Sequence, residues 1–208
     1  MISSHKISFK DKPSNFRFMK KILLFQHITL DGFVAGPNGE MDWIIVDDEI
    51  FDHVGTQVNN SDVAMYGRVT YEMMDNYWPT AAAQPNASKH DIEHGTWYNR
   101  VDKIVLSRSM KGVNKPLTTV ISENLPAEIH KLKQHAKSDI IMFGSPTAAH
   151  ALMAENLIDE YWLFINPILL GRGIPTFQGI KSRVALQLSD RKVFESGVLC
   201  TRYEKISS

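Results

Sequence analysis

The residues best equipped for chemistry in this chain lie where apolar runs end. Val63-Ala64-Met65-Tyr66 runs into Gly67-Arg68-Val69-Thr70. A strand entering a helix through Gly-Arg-x-Thr suits a phosphate. Glycine lets the backbone come close, a fresh helix N-terminus offers unpaired N–H groups, Thr70 adds a hydroxyl and Arg68 a forked cation. The same four residues also fit an ordinary strand–turn–helix corner with an exposed Arg. A second junction of this kind follows downstream. Ile140-Ile141-Met142-Phe143 ends in Gly144-Ser145, Pro146 opens a helix, and Thr147 lies in its first turn. A third run, Lys103 to Leu106, ends in Ser107 and Arg108. Two strand–Gly–helix junctions in one chain point to a split nucleotide site.

The candidate acid is Asp31. Ile22 to Ile28 is a continuous apolar run, as expected of a strand buried on both faces, and Asp31 follows its end beside Gly32. A partly buried acid there could bind a substrate or relay a proton once its pKa rises; the alternative is an Asp that turns the chain. A second acid–aromatic pair, Asp42-Trp43, follows; Asp42 could equally begin the next segment, and Trp43 could belong to the core or its rim. His90 and His94 are four apart, so a helix would put them on one face. No third ligand lies near them, and the segment reads as a solvated helix with no metal site. His53, His130 and His135 read as surface positions.

The elements that must position these groups follow from periodicity. Asp47 to Val58 places Ile50, Phe51, Val54 and Val58 at helical spacing, with acids in its first turn. A short helix is predicted from Thr70 to Asp75, ending at Tyr77-Trp78-Pro79, then a turn-rich connection over Thr80 to Asn86 and a helix from Ser88 to about Asn99. Thr118 to Ile121 is a weak strand, Pro126 to Gln134 a short amphipathic helix, Pro146 to Glu155 another helix, and Glu160 to Ile165 a strand. Val184 to Leu188 and Val198 to Lys205 read as a closing antiparallel pair joined through Asp190 to Gly197. Residues 1–18 read as a peripheral extension, with Met19 as an alternative start, and residues 19–208 as one α/β domain.

Composition narrows the function classes. Lys plus Arg number 23 and so do Asp plus Glu, which argues against a general nucleic-acid or anionic-membrane binder but allows a local anion pocket. The single cysteine, Cys200, excludes an intramolecular disulfide and a cysteine zinc site and suits a reducing cytoplasm. No apolar run approaches the roughly 20 residues needed to span a bilayer.

Taken together, Leu30–Gly36 (LDGFVAG), Gly67–Glu72 (GRVTYE), Lys103–Arg108 (KIVLSR), Ile140–Ser145 (IIMFGS) and Ile158–Phe177 resemble the dihydrofolate-reductase-like fold. Within it they are most similar to the reductase domain of the bifunctional riboflavin-biosynthesis enzyme and its stand-alone relatives. The resemblance spans about Lys20 to Tyr203. It implies a three-layer α/β/α domain with a mostly parallel central sheet and a C-terminal antiparallel hairpin. It also implies NADPH, with phosphates at Gly67, Arg68 and Thr70, the 2′-phosphate by Ser107 and Arg108, and the pyrophosphate and nicotinamide side by Gly144, Ser145 and Thr147. Leu170 and Gly171 would lie near the cofactor, and Asp31, Asp42 and Trp43 on the substrate side. The chemistry agrees, because two Arg forks and two helix N-termini could gather a dinucleotide with an extra phosphate. The expected activity is NADPH-dependent reduction of a small heterocyclic or carbonyl-bearing substrate by a homodimer, paired through edges offered by Tyr161 to Ile165 and Val198 to Tyr203. A non-catalytic nucleotide sensor and a pterin or dihydrofolate reductase are the alternatives. The companion deaminase's zinc site needs more cysteines than this chain has.

Overall fold

In a computed structural model, residues 19–110 and 114–206 are described; the predicted extension over 1–18 lies outside them. The apolar run after Lys21 forms β1 (Ile22–Thr29), buried at six of its eight positions. Around it the chain lays down β2 (Phe33–Ala35), α1 (Asp48–Asn59), β3 (Val63–Gly67), α2 (Arg68–Ala81), α3 (Lys89–Arg100), β4 (Asp102–Leu106) and β5 (Thr118–Ile121). There follow α4 (Leu125–His135), β6 (Ile140–Phe143), α5 (Pro146–Ala154), β7 (Glu160–Asn166), β8 (Ile174–Pro175), β9 (Leu186–Val193) and β10 (Leu199–Lys205). The main sheet has the order β5-β4-β3-β6-β1-β7-β10-β9. Neighbours from β5 to β7 are parallel, and the closing hairpin of β10 and β9 is antiparallel. This is the mixed, mostly parallel α/β architecture the sequence predicts.

Alternation along the strands supplies both faces of the sheet. Leu23, Ala64 and Tyr66 pack with Ile50, Val54 and Val58 of α1, Tyr71 of α2, and Trp97 and Tyr98 of α3. Ile22, Leu24, Val63 and Met65 face the other way, against Ile129 of α4 and Ala148, Ala149, Leu152 and Met153 of α5. Helices therefore cover both faces, as a parallel sheet of continuous apolar strands requires. Among the described residues no helix is long and apolar enough to cross a membrane.

Several predicted boundaries are corrected. α2 continues through Pro79 to Ala81, because a proline so near the helix C-terminus forfeits only one late hydrogen bond. β9 occupies Leu186–Val193, overlapping the stretch expected to be a connection. It is a solvent-exposed edge strand with a register shift opposite Arg202 and Tyr203, so it carries no apolar pattern. β7 and β10, expected to offer edges, lie inside the sheet, and the edges are β5 and β9.

Candidate functional site

The geometry of the site begins with the direction in which two neighbouring strands hand over to their helices. β3 and β6 are adjacent and parallel. α2 leaves β3 towards one face of the sheet and α5 leaves β6 towards the other. A crevice opens at the carboxyl ends of strands whose helices diverge in this way, and ligands of open α/β sheets bind there.

Gly67 and Ser145 are the N-cap residues of α2 and α5; Gly67 has no side chain to cap with, and the Ser145 side chain does not cap α5. Instead the Ser145 hydroxyl accepts the Gly67 N–H at 2.7 Å and donates to Thr70 Oγ1 at 2.6 Å. One side chain thus joins both junctions, and among the described residues the first-turn amides of both helices have no side-chain cap. Ser145 holds a left-handed backbone at φ 60°, a conformation that costs a non-glycine residue on the order of 1 kcal/mol or more and persists only when its surroundings enforce it. Gly144 before it has φ 48°, and a Cβ there would meet nothing within 4 Å. At Gly67 the opposite holds: a Cβ would lie 2.9 Å from Ser145 Cβ and Oγ and 3.2 Å from Ala148 Cβ.

The remaining predicted cofactor residues lie along the same edge. Arg68 is exposed and paired with Glu72 at 2.8 Å, one turn along α2. Ser107 Oγ accepts the N–H groups of Ser109 and Met110 and so shapes the turn after β4. Arg108 beside it is exposed and forms no ion pair among the described residues. Thr147 is exposed in the first turn of α5. Beyond β6 comes β1, whose end carries Asp31. Its carboxylate accepts the Thr29 hydroxyl at 2.6 Å, Gly171 N–H at 2.7 Å and Leu170 N–H at 3.2 Å. The predicted partial burial and raised pKa of Asp31 are corrected. It is exposed, and the Thr29 hydroxyl, helped by the two loop amides, holds its carboxyl below the usual range. Asp31 ties the loop after β7 to the end of β1. The same loop is tied twice more, by Leu30 N–H to Ile168 O and by Thr176 to Gly32 O.

Asp42 is exposed without a hydrogen bond among the described residues. Half-buried Trp43 donates to Glu40 O at 3.2 Å. Sequence reasoning overlooked Asn166, fully buried at the end of β7. Its amide donates to Ile28 O and Phe164 O and its oxygen accepts Ile45 N–H, so it pins the segment that carries Trp43. A polar residue closing an apolar strand just before Pro167 is the signal that could have found it.

On the α1–α3 face, Phe25 and His27 are the only residues of β1 that are not fully buried, although β1 is an interior strand. A continuous set of rings surrounds them. Phe25 meets Phe143 at 5.4 Å and Phe164 at 4.9 Å, and His27 stacks on Phe164 at 5.0 Å. Phe143 contacts His94, His94 contacts Trp78, and His90 stacks on Phe51 at 3.6 Å. The prediction that His90 and His94 stand in solvent is therefore corrected: aromatic neighbours cover both. His53 likewise packs on Trp162 and Phe194. Burial pushes His27 down to about 4 and His94 down to about 3, so both imidazoles are neutral at pH 7.

Two shallow cavities, of about 170 and about 470 Å³, lie at the opposite, amino-terminal edge of the sheet. One reaches Lys21, Ser61 and Glu160, the other Val63, Asp102 and Thr118, and neither touches the junctions. The candidate site is therefore argued from strand-end geometry rather than from cavity size.

With this geometry in place, the comparisons identify the family. The RibD C-terminal domain matches residues 20–200, and the chain belongs to that family. YyaP of Bacillus subtilis (strain 168), an uncharacterized protein, is 31% identical over 182 residues, covering 86% of this chain and 92% of YyaP. A pyrimidine reductase-like protein of Corynebacterium diphtheriae is 15% identical with a TM-score of 0.61, covering 91% of this chain and 93% of its own. The Thermotoga maritima diaminohydroxyphosphoribosylaminopyrimidine deaminase/5-amino-6-(5-phosphoribosylamino)uracil reductase is 15% identical with a TM-score of 0.64, matching 90% of this chain and 57% of its own. The fold is shared with these solved structures, and the family match spans residues 20–200.

Two outcomes follow from the packing. Gly67→Ala must push α5 from β3 and is expected to lower stability by about 1–3 kcal/mol in urea denaturation; an unchanged midpoint would contradict the contact with Ser145. The neutral histidines give a pH dependence. The unfolded chain binds protons near the ordinary histidine value of 6.5, which folded His27 and His94 refuse until about 4 and about 3. Their contribution is present above pH 6.5 and is lost as pH falls towards 4. His94→Phe, which keeps a ring and removes the titrating group, is expected to flatten the fall in urea midpoint between pH 7 and 4.5. An equal slope in the variant would contradict this assignment.

Proposed function

We propose that this chain is an NADPH-dependent reductase of a small heterocyclic or carbonyl-bearing substrate. The observation that carries the reading is the crevice between β3 and β6, where two helix N-termini without side-chain caps face one another across the Gly67–Ser145 contact. The residues fit the cofactor. First-turn amides of α2 and α5 favour a pyrophosphate. Open space above Gly144 allows close approach. Arg68 and Arg108 are exposed cations on the α2 and β4 side, which suits an extra phosphate at that end. When bound, NADPH would supply the hydride.

The chain's own part is to bind, orient and exclude water. Gly67, Arg68, Thr70, Ser107 and Arg108 would hold the phosphate-rich end, and Gly144, Ser145 and Thr147 the middle. Asp31, ionised and bonded to Leu170 and Gly171, keeps the loop in place along the far rim and acts as a positioning residue rather than a proton donor. Membership of a reductase-domain family and the reductase neighbours support the same reading. The proposal includes a cytoplasmic homodimer. It is supported by the lone, buried Cys200 and by edge strand β9, which exposes Leu186, Leu188 and Val193.

The test is a titration with NADPH and NADH followed by nicotinamide fluorescence. NADPH is expected to bind more tightly by about tenfold or more, the worth of one charge-assisted contact. Arg108→Ala is expected to remove most of that ratio. Equal affinities, or no binding of either nucleotide, would contradict the reading.

A further inference from the structure

The ladder between β3 and β6 pairs Val63 with Ile140, Ala64 with Ile141 and Met65 with Met142, and ends there. Two residues beyond it a side chain takes over, when Gly67 N–H donates to Ser145 Oγ at 2.7 Å. The hydroxyl adds one rung after the backbone of β6 has turned into α5. Gly67 and Ser145 are both buried, so water does not compete for this bond.

The roles of both hydroxyls follow from their partners. Ser145 Oγ accepts from Gly67 and gives its single proton to Thr70 Oγ1 at 2.6 Å. Thr70 is the acceptor in this pair, and its own proton has no acceptor among the described residues. It is half-buried in the first turn of α2, beside amides that no side chain caps. A chain of donors therefore runs from Gly67 N–H through Ser145 to Thr70 and ends on an open O–H.

Hydrogen bonds in such a chain polarise one another. When Thr70 donates outwards, its oxygen becomes a better acceptor for Ser145, and Ser145 a better acceptor for Gly67. A phosphate oxygen suits the open end, because the N–H groups of the same turn and the positive end of the α2 dipole favour an anion. The effect reaches α5 through the same residue. Ser145 holds φ 60°, and its carbonyl accepts Ala149 N–H at 2.9 Å at the start of that helix. A tighter hydroxyl chain holds this strained backbone more firmly.

We propose that Ser145 is a positioning residue that couples the two junctions. A phosphate bonded to the Thr70 hydroxyl tightens the link through Ser145 Oγ and fixes the first turn of α5 for the rest of the dinucleotide. The inference rests on the reductase reading, which supplies a ligand that meets both junctions. It makes the two half-sites one cooperative unit rather than two independent anion sites.

Adenosine 2′,5′-bisphosphate carries the phosphate-rich end without the nicotinamide half. Its affinity for the full chain is measured by calorimetry, and exchange of the Ala149 amide by NMR at saturation. Ser145→Gly tolerates the left-handed backbone and removes the hydroxyl; Thr70→Val keeps the shape. Each is expected to weaken binding by about fivefold, one hydrogen bond's worth. The double variant is expected to bind no more weakly than Thr70→Val alone. Binding is expected to slow Ala149 exchange by about fivefold in the parent and not in either single variant. Thr70→Ser, which keeps the donor, is expected to retain affinity and protection. Urea midpoints separate loss of the link from loss of the fold. Losses that multiply to about 25-fold in the double variant would overturn the proposal and leave the cofactor reading standing. So would equal protection of Ala149 in Thr70→Val. Inorganic pyrophosphate is the second probe. If it binds with losses that do not multiply while adenosine 2′,5′-bisphosphate and NADPH do not bind, the coupling stands and the cofactor reading falls. If no anion binds, both fall.

Discussion

The hydroxyl of Ser145 is the contact on which the site depends. It accepts from the backbone of one strand–helix junction and donates to the hydroxyl of Thr70 in the first turn of the same helix, while its own residue caps the other helix. Both helices are therefore fixed at their N-termini, the positive ends of their dipoles. The left-handed backbone at Ser145 is unfavourable by itself and is maintained because the hydroxyl it presents is bonded twice. Gly67 completes the arrangement, since any larger residue would collide with that hydroxyl.

From this contact the site divides into two chemically distinct halves. On one side lie backbone N–H groups, hydroxyls and two exposed guanidinium groups, a surface suited to phosphate. On the other lie half-buried Phe25 and His27, packed against the buried rings of Phe143 and Phe164. The boundary falls between consecutive residues, Phe143 and Gly144. Asp31 and Asn166 act at the rim of both halves, one by holding the loop after β7 and the other by holding the segment that carries Trp43.

Much of this was legible in the sequence. The runs at Ile22, Val63, Lys103 and Ile140 declare buried parallel strands, and the glycines after two of them mark where helices begin. Other features were not legible because they depend on long-range partners. Ser145 reads as a small residue after a glycine; its bond to Gly67 spans 78 positions and exists only once β3 and β6 are neighbours. Asp31 reads as an acid at a strand end, and its amide partners lie about 140 positions away. His90 and His94 share a helix face as predicted, but only packing shows that aromatic rings cover that face. β9 has no periodicity because, at an edge and in solvent, neither face must be apolar.

The central claim is that the β3–β6 crevice receives the nicotinamide cofactor. Its most direct test is a backbone amide ¹H–¹⁵N titration of the full chain with NADPH. Saturable shifts are expected at Val69 and Thr70 of α2 and at Thr147 and Ala148 of α5, with Asp62 and Val63 at the opposite edge of the sheet unchanged. Shifts confined to that opposite edge, or none at either junction, would contradict it.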